Sequence, residues 1–218
     1  MGQLTMRFPN QEVYVGTGTL IDELHVLTCA HNLYSKEDGG WATSVDFVCA
    51  RNGPHEPYGR VLARRLWIPE EYRTLDAPNP NRSNGYVAEV TQFLYDYGVV
   101  SLREPLEAPG SVPLYASPDS KLQKRHIGIW GYPGDKPAGT MWGTEGAPPT
   151  TSESLLFYRL ATFNGQSGSG VLFRTSTVPK VVGIHVAGDQ ALGTNFAVRL
   201  TEEIIAQIRG QWVGGVDL

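Results

Sequence analysis

The 218-residue sequence contains only two cysteines, Cys29 and Cys49, too few for a disulfide framework. Both fall in apolar stretches, 26–30 and 45–50, that read as strands, so two buried thiols are expected. A bridge would need Cα atoms within ~7 Å, which sequence spacing leaves open. No apolar run approaches the ~18 residues that span a bilayer, and residues 1–10 lack the charged-then-apolar build of a signal peptide. A soluble chain with no membrane insertion is the expectation. The formal net charge of −4 comes without a basic stripe, which argues against nucleic acid as a partner. No group of His, Cys and Asp has metal-ligand spacing, so neither a metal nor a cofactor is expected. Internal repeats and low-complexity tracts are also missing.

What is abundant is punctuation. With 25 Gly and 15 Pro, 41% hydrophobic and 18% charged residues, the chain suits many short strands joined by turns rather than long helices or disorder. Strand patterns fall at 12–21, 24–28, 45–50, 59–66, 98–102, 126–130, 139–144, 155–161, 170–174, 181–186 and 194–198. These short strands predict an all-β fold of two packed antiparallel β-barrels. The run Asp76 to Asn84, rich in Pro and Asn, reads as a long surface loop that could engage a regulatory partner. One helix is expected at 201–209, with Thr201 as N-cap, Glu202 and Glu203 in its first turn and Gly210 just beyond. Its apolar face is Ile204, Ile205 and Ile208.

Chemistry concentrates in three places. Gly165-Gln166-Ser167-Gly168-Ser169-Gly170 puts a serine between glycines on a tight turn, where its hydroxyl and the N–H groups of Gly165 and Ser167 could face a developing oxyanion. Ser169 is the rival nucleophile, but the residue two before it carries a side chain. Upstream, Thr28-Cys29-Ala30-His31 ends an apolar strand with an imidazole suited to take the serine's proton. Asp96 opens the strand pattern 97–102 and could hold that imidazole, with Asp76 as an alternative acid. The chain order His31, Asp96, Ser167 is one of the known orders of an acyl-transfer triad.

These residues resemble the chymotrypsin-fold serine endopeptidases, and within them the bacterial glutamyl endopeptidase branch typified by the staphylococcal V8 protease. Gly131-Tyr132-Pro133-Gly134-Asp135-Lys136-Pro137, followed by Thr140-Met141-Trp142, is similar to a segment of that branch, as is Gly183-Ile184-His185 to its specificity strand. The resemblance implies one peptidase domain over 1–218, with an N-terminal barrel to about 110 and a C-terminal barrel plus helix over 111–218. It implies cleavage of protein or peptide substrates after Glu, with Asp as a second acid. It also implies that Thr162 and His185 bind the substrate carboxylate, Ala161 stands where trypsin-like pockets carry an acid, and Gly188 lines the pocket near Asp189. Members of the branch are mostly secreted, whereas a chain without a leader leaves an intracellular location open.

Gln166 stands where digestive members have an aspartate, so activation through a new N-terminus is not expected and the site should be preformed. The branch's longer N-terminal segment, whose α-amine helps read glutamate, has no counterpart if the first strand begins a dozen residues in. A neutral His31 acting beside a protonated His185 predicts a bell-shaped pH dependence for Glu substrates. Two other readings stand beside glutamate specificity: the same triad with a small or apolar preference, and a non-catalytic peptide-binding module on a protease fold.

Overall fold

Alternation of apolar residues builds the first half of the protein. The computed structural model describes residues 1–74, 93–107, 110–174, 178–189 and 193–214. The Pro/Asn loop at 76–84, with Asp76, lies outside the described residues, as does the side chain of Asp189. The strands are β1 (Gly2–Arg7), β2 (Val13–Leu20), β3 (His25–Thr28), β4 (Tyr34–Ser35), β5 (Gly40–Trp41), β6 (Ser44–Cys49), β7 (Val61–Trp67), β8 (Gly98–Leu102), β9 (Ile127–Gly131), β10 (Trp142–Gly146), β11 (Thr150–Thr151), β12 (Leu155–Tyr158), β13 (Gly170–Phe173), β14 (Lys180–Asp189) and β15 (Thr194–Arg199). The described residues also form the short α-helices α1 (Glu70–Thr74), α2 (Asp119–Leu122) and α3 (Glu202–Gln207).

Strands β1, β2, β3, β8, β7 and β6 close into a barrel in that order. The N-terminal strand departs from expectation: the first strand starts at Gly2, not a dozen residues in. Its alternate residues Leu4 and Met6, with Phe8 just beyond, are fully buried. Both edges of β1 are paired, Gly2 with Gly18 of β2 and with Cys49 of β6, which is what closes the ring and leaves no open edge. Burial of Phe8 and Phe47 in this core contributes roughly 1.5–3 kcal/mol each.

The second half is a seven-stranded antiparallel sheet in the order β10-β9-β13-β14-β15-β12-β11, curled around Ile127, Ile129, Leu156, Val171 and Phe173. Together the two halves form the chymotrypsin-like double barrel. The strand expected at 139–144 begins instead at Trp142, because Gly139 has a positive φ of 73° and Thr140 closes a turn onto the Pro137 carbonyl. Helix α3 starts where expected, Thr201 accepting from the Ile204 N–H at 3.3 Å, a cap that contributes about 1 kcal/mol. Past Gln207 it widens into a π-helical turn, Ile208–Val213. Ile205 and Ile208 are buried, and Trp212 lies 5.7 Å from the Tyr97 ring centroid. Tyr97 also donates to Gln207 at 2.6 Å, so the C-terminal helix braces the residue following Asp96.

Both cysteines are free and buried, as expected. Among the described residues no helix is long and apolar enough to cross a membrane.

Candidate active site

Strand β2 is the platform on which the two halves meet. Its alternation sends Thr17 and Thr19, both fully buried, toward the second half. Thr17 donates from Oγ1 to the Gly165 carbonyl at 2.8 Å and from its N–H to the Ser167 carbonyl at 2.9 Å, while Thr19 Oγ1 accepts from the Gly170 N–H at 3.0 Å. The glycine-rich loop is thereby fastened at three points to the barrel that carries His31.

Within that loop, two peptide planes are fixed by their carbonyls. The Asn164 carbonyl accepts from the Gly134 N–H at 2.7 Å, and the Gln166 carbonyl from the Ser169 N–H at 3.0 Å. Because trans peptides point N–H opposite C=O, the N–H groups of Gly165 and Ser167 are turned away from these partners. Among the described residues neither N–H has an acceptor. Gly165 has φ of 99°, and a Cβ there would collide with the Tyr132 carbonyl, so this turn requires glycine. Gln166 is buried and its side-chain Oε1 accepts from the Phe163 N–H at 2.8 Å, which ties it into its own loop.

His31 lies in a 3-10 turn, Ala30–Asn32, after β3. Asp96 grips it twice: Oδ2 meets Nδ1 at 2.6 Å and Oδ1 accepts the His31 backbone N–H at 2.9 Å, with both residues buried. Burial opposes charge on this imidazole, but the Asp96 carboxylate and, less strongly, the Cys29 sulfur outweigh it and hold His31 well above the ordinary histidine range. Its Nε2 faces Cys29 Sγ at 3.4 Å, and Ser167 Oγ reaches the Val186 carbonyl at 3.5 Å. Among the described residues no hydrogen bond joins Ser167 to His31. The neighbouring Asn32 nevertheless donates to the Ser167 carbonyl at 3.1 Å, which keeps the two segments side by side. Ser169 Oγ is sealed from solvent, whereas Ser167 keeps 9% of its surface open.

The residues expected to read the substrate side chain are more scattered. His185 sits on β14, pinned to the serine loop by Gly168 N–H to its carbonyl and its own N–H to the Ser169 carbonyl, each 2.8 Å. Its ring is buried, with Nδ1 2.8 Å from the Tyr158 hydroxyl. Burial, with the nearby His31 charge, lowers its pKa to about 4. Thr162 is half-buried and Ala161 exposed. Ala161 lines a hollow of about 660 Å³ with Tyr158, Leu160, Thr194 and the 144–150 segment, whereas Thr162, His185 and Gly188 do not. Above Gly188 stands Asn195, whose Nδ2 donates to the Leu160 carbonyl and bridges the two walls. Sequence reasoning missed Cys29, Tyr158 and Asn195. Only Cys29 carried a legible signal, its position two residues before His31.

A pKa of about 4 leaves His185 neutral wherever His31 has lost its proton, which argues against the bell-shaped expectation. It also ties stability to pH. Unfolded histidine binds its proton near 6.5 and this one near 4, so between those values the unfolded state holds more protons and stability falls as pH drops. The loss amounts to about 3 kcal/mol at most. Urea midpoints at pH 7 and 4.5 should therefore converge in His185→Gln relative to wild type, and parallel shifts in the two proteins would contradict this.

The trypsin-like peptidase domain model matches residues 16–184, and the chain belongs to that family. Among curated relatives, the glutamyl endopeptidase of Bacillus licheniformis is 31% identical over 86% of this chain and 56% of its own length. The extracellular metalloprotease of Bacillus subtilis is 28% identical over 95% of this chain and 61% of its own. The chain thus spans a little over half the length of these relatives. The solved structure of a Glu endopeptidase in complex with MPD matches with a TM-score of 0.76 and 22% identity, covering 95% of this chain and 88% of that one.

Proposed function

We propose that this protein is a serine endopeptidase in which Ser167 is the nucleophile, His31 the general base and Asp96 the residue that orients and stabilises the imidazolium. The observation that carries this reading is the pair of outward-turned N–H groups at Gly165 and Ser167, held beside a buried His31–Asp96 couple. In attack, His31 Nε2 exchanges its contact with Cys29 for Ser167 Oγ and takes the hydroxyl proton as Oγ bonds to the scissile carbonyl carbon. The carbonyl oxygen, now negative, receives both N–H groups; His31 then passes the proton to the leaving amine, and water hydrolyses the acyl-enzyme.

Cleavage after Glu is the specificity we favour, with Thr162 and a neutral His185 donating hydrogen bonds to the carboxylate and Ala161 and Gly188 shaping the walls. The acid-free position at Ala161 and the glutamyl endopeptidase relatives support it. The burial of His185 under Tyr158 supports a second reading, a small or apolar preference with the same triad. A mixed peptide library read by mass spectrometry separates them: cuts after Glu support the first and cuts after small apolar residues the second. A chain that neither cuts nor reacts with a fluorophosphonate would be a binding module.

The rate should carry a single acid limb. With His31 held above its ordinary value, kcat/KM rises with pH through a limb above 6.5, and His185 at about 4 contributes no alkaline limb. Glutamyl substrates and their neutral glutamine counterparts should give profiles of the same shape. An alkaline limb confined to glutamyl substrates would restore a charged His185.

A further inference from the structure

The side of His31 that must receive the serine's proton is engaged by a sulfur. We infer that Cys29 and His31 form a binding site for a soft divalent cation such as Zn²⁺ or Cd²⁺, backed by Asp96, and that occupancy silences proteolysis. The inhibitory part rests on the serine peptidase reading above; the binding part does not.

Cys29 Sγ and His31 Nε2 are 3.4 Å apart. With metal–sulfur and metal–nitrogen bonds of about 2.3 and 2.0–2.1 Å, that separation subtends roughly 100° at the ion, close to tetrahedral. The ligand atoms of Cys29, His31 and Asp96 all lie within 4.8 Å of one another, a cluster that the sequence spacing had not suggested. Asp96 Oδ2 on Nδ1 fixes the proton there and leaves the lone pair on Nε2, the arrangement by which an outer carboxylate orients a metal-bound histidine. A thiolate and an imidazole together favour a soft or borderline ion over Mg²⁺ or Ca²⁺. On binding, Cys29 releases its S–H proton to solvent and Nε2 gives its lone pair, with no electron transfer; water fills the remaining positions.

All three residues are buried, so an ion must reach Nε2 by the edge that Ser167 Oγ and a scissile carbonyl need in the peptidase reading. Once bound, the ion holds the lone pair that the serine's proton needs. The other thiol, Cys49, lies against the Met1 carbonyl at 3.9 Å and serves as the control.

The experiment is a Cd²⁺ titration of the intact protein, following thiolate-to-metal charge-transfer absorption and peptide hydrolysis in the same samples. In wild type the band should saturate at one ion per chain while hydrolysis falls by about a hundredfold or more, the loss expected when a general base is blocked. Cys49→Ala should keep both responses. Cys29→Ala and Cys29→Ser should lose the band, and each should stay within about twofold of its own metal-free rate under the Cd²⁺ that silences wild type. No band in wild type, or a band lost in Cys49→Ala and kept in Cys29→Ala, overturns the site. A Cys29-dependent band without loss of hydrolysis overturns the inhibition. A Cys29-dependent band in a chain that never hydrolyses peptides supports the site while defeating the peptidase reading.

Discussion

Ser167→Ala should lower peptide hydrolysis by roughly 10⁶-fold, to the level that transition-state binding alone sustains. In the proposed mechanism the loss is large because the hydroxyl forms the covalent bond, and the rival Ser169, two residues on, is buried with Oγ closed off from solvent. The fold should survive, since Ser167 is fastened by its backbone, the carbonyl accepting from Thr17 and Asn32, while its Oγ makes only a long bond to Val186. Unchanged urea midpoints with hydrolysis abolished are the expected pair of measurements. Retention of even a tenth of the activity would place the nucleophile elsewhere.

Asp96→Asn comes next, with an expected loss of about 10⁴ in kcat. The substitution keeps an oxygen, now a carboxamide's, to accept the His31 backbone N–H, but turns an NH₂ group toward Nδ1, which must then accept. The imidazole proton is forced onto Nε2, which blocks the proposed proton transfer from Ser167. Removing the carboxylate also removes the main influence that raises His31, so burial, opposed by the weaker effect of Cys29, lowers its titration relative to wild type. Asp96→Ala goes further, costing about 3–5 kcal/mol of stability because one partner of a buried pair is left alone. Histidine titration by NMR and the steady-state rate together separate the two effects: a lowered His31 pKa with an unchanged rate would remove Asp96 from the mechanism.

Much of the fold was legible because its signals are local. Strand β8 was expected at its observed bounds, with Val100 and Leu102 facing the barrel core and Val99 packing with the second half. Helix α3 was legible from its cap. Strand β1 escaped notice although Leu4, Met6 and Phe8 alternate cleanly, since six residues make a weak pattern and its place depends on pairing with both β2 and β6. The bulge between His185 and Ala187 on β14 leaves no mark in the residue string either.

Composition and local order sufficed to determine an all-β chain with a glycine-flanked serine and an imidazole at a strand end, because turns, caps and strand periods are written over a few residues. Only the tertiary structure decided that Asp96 holds His31 across 65 positions of chain, that Cys29 occupies the face of Nε2, and that burial, with the nearby His31 charge, lowers His185 while Tyr158 sits against its Nδ1. Hydrogen bonds act over about 3 Å and desolvation depends on every neighbouring atom, so both are set by which strands lie side by side rather than by the order of residues along any one of them.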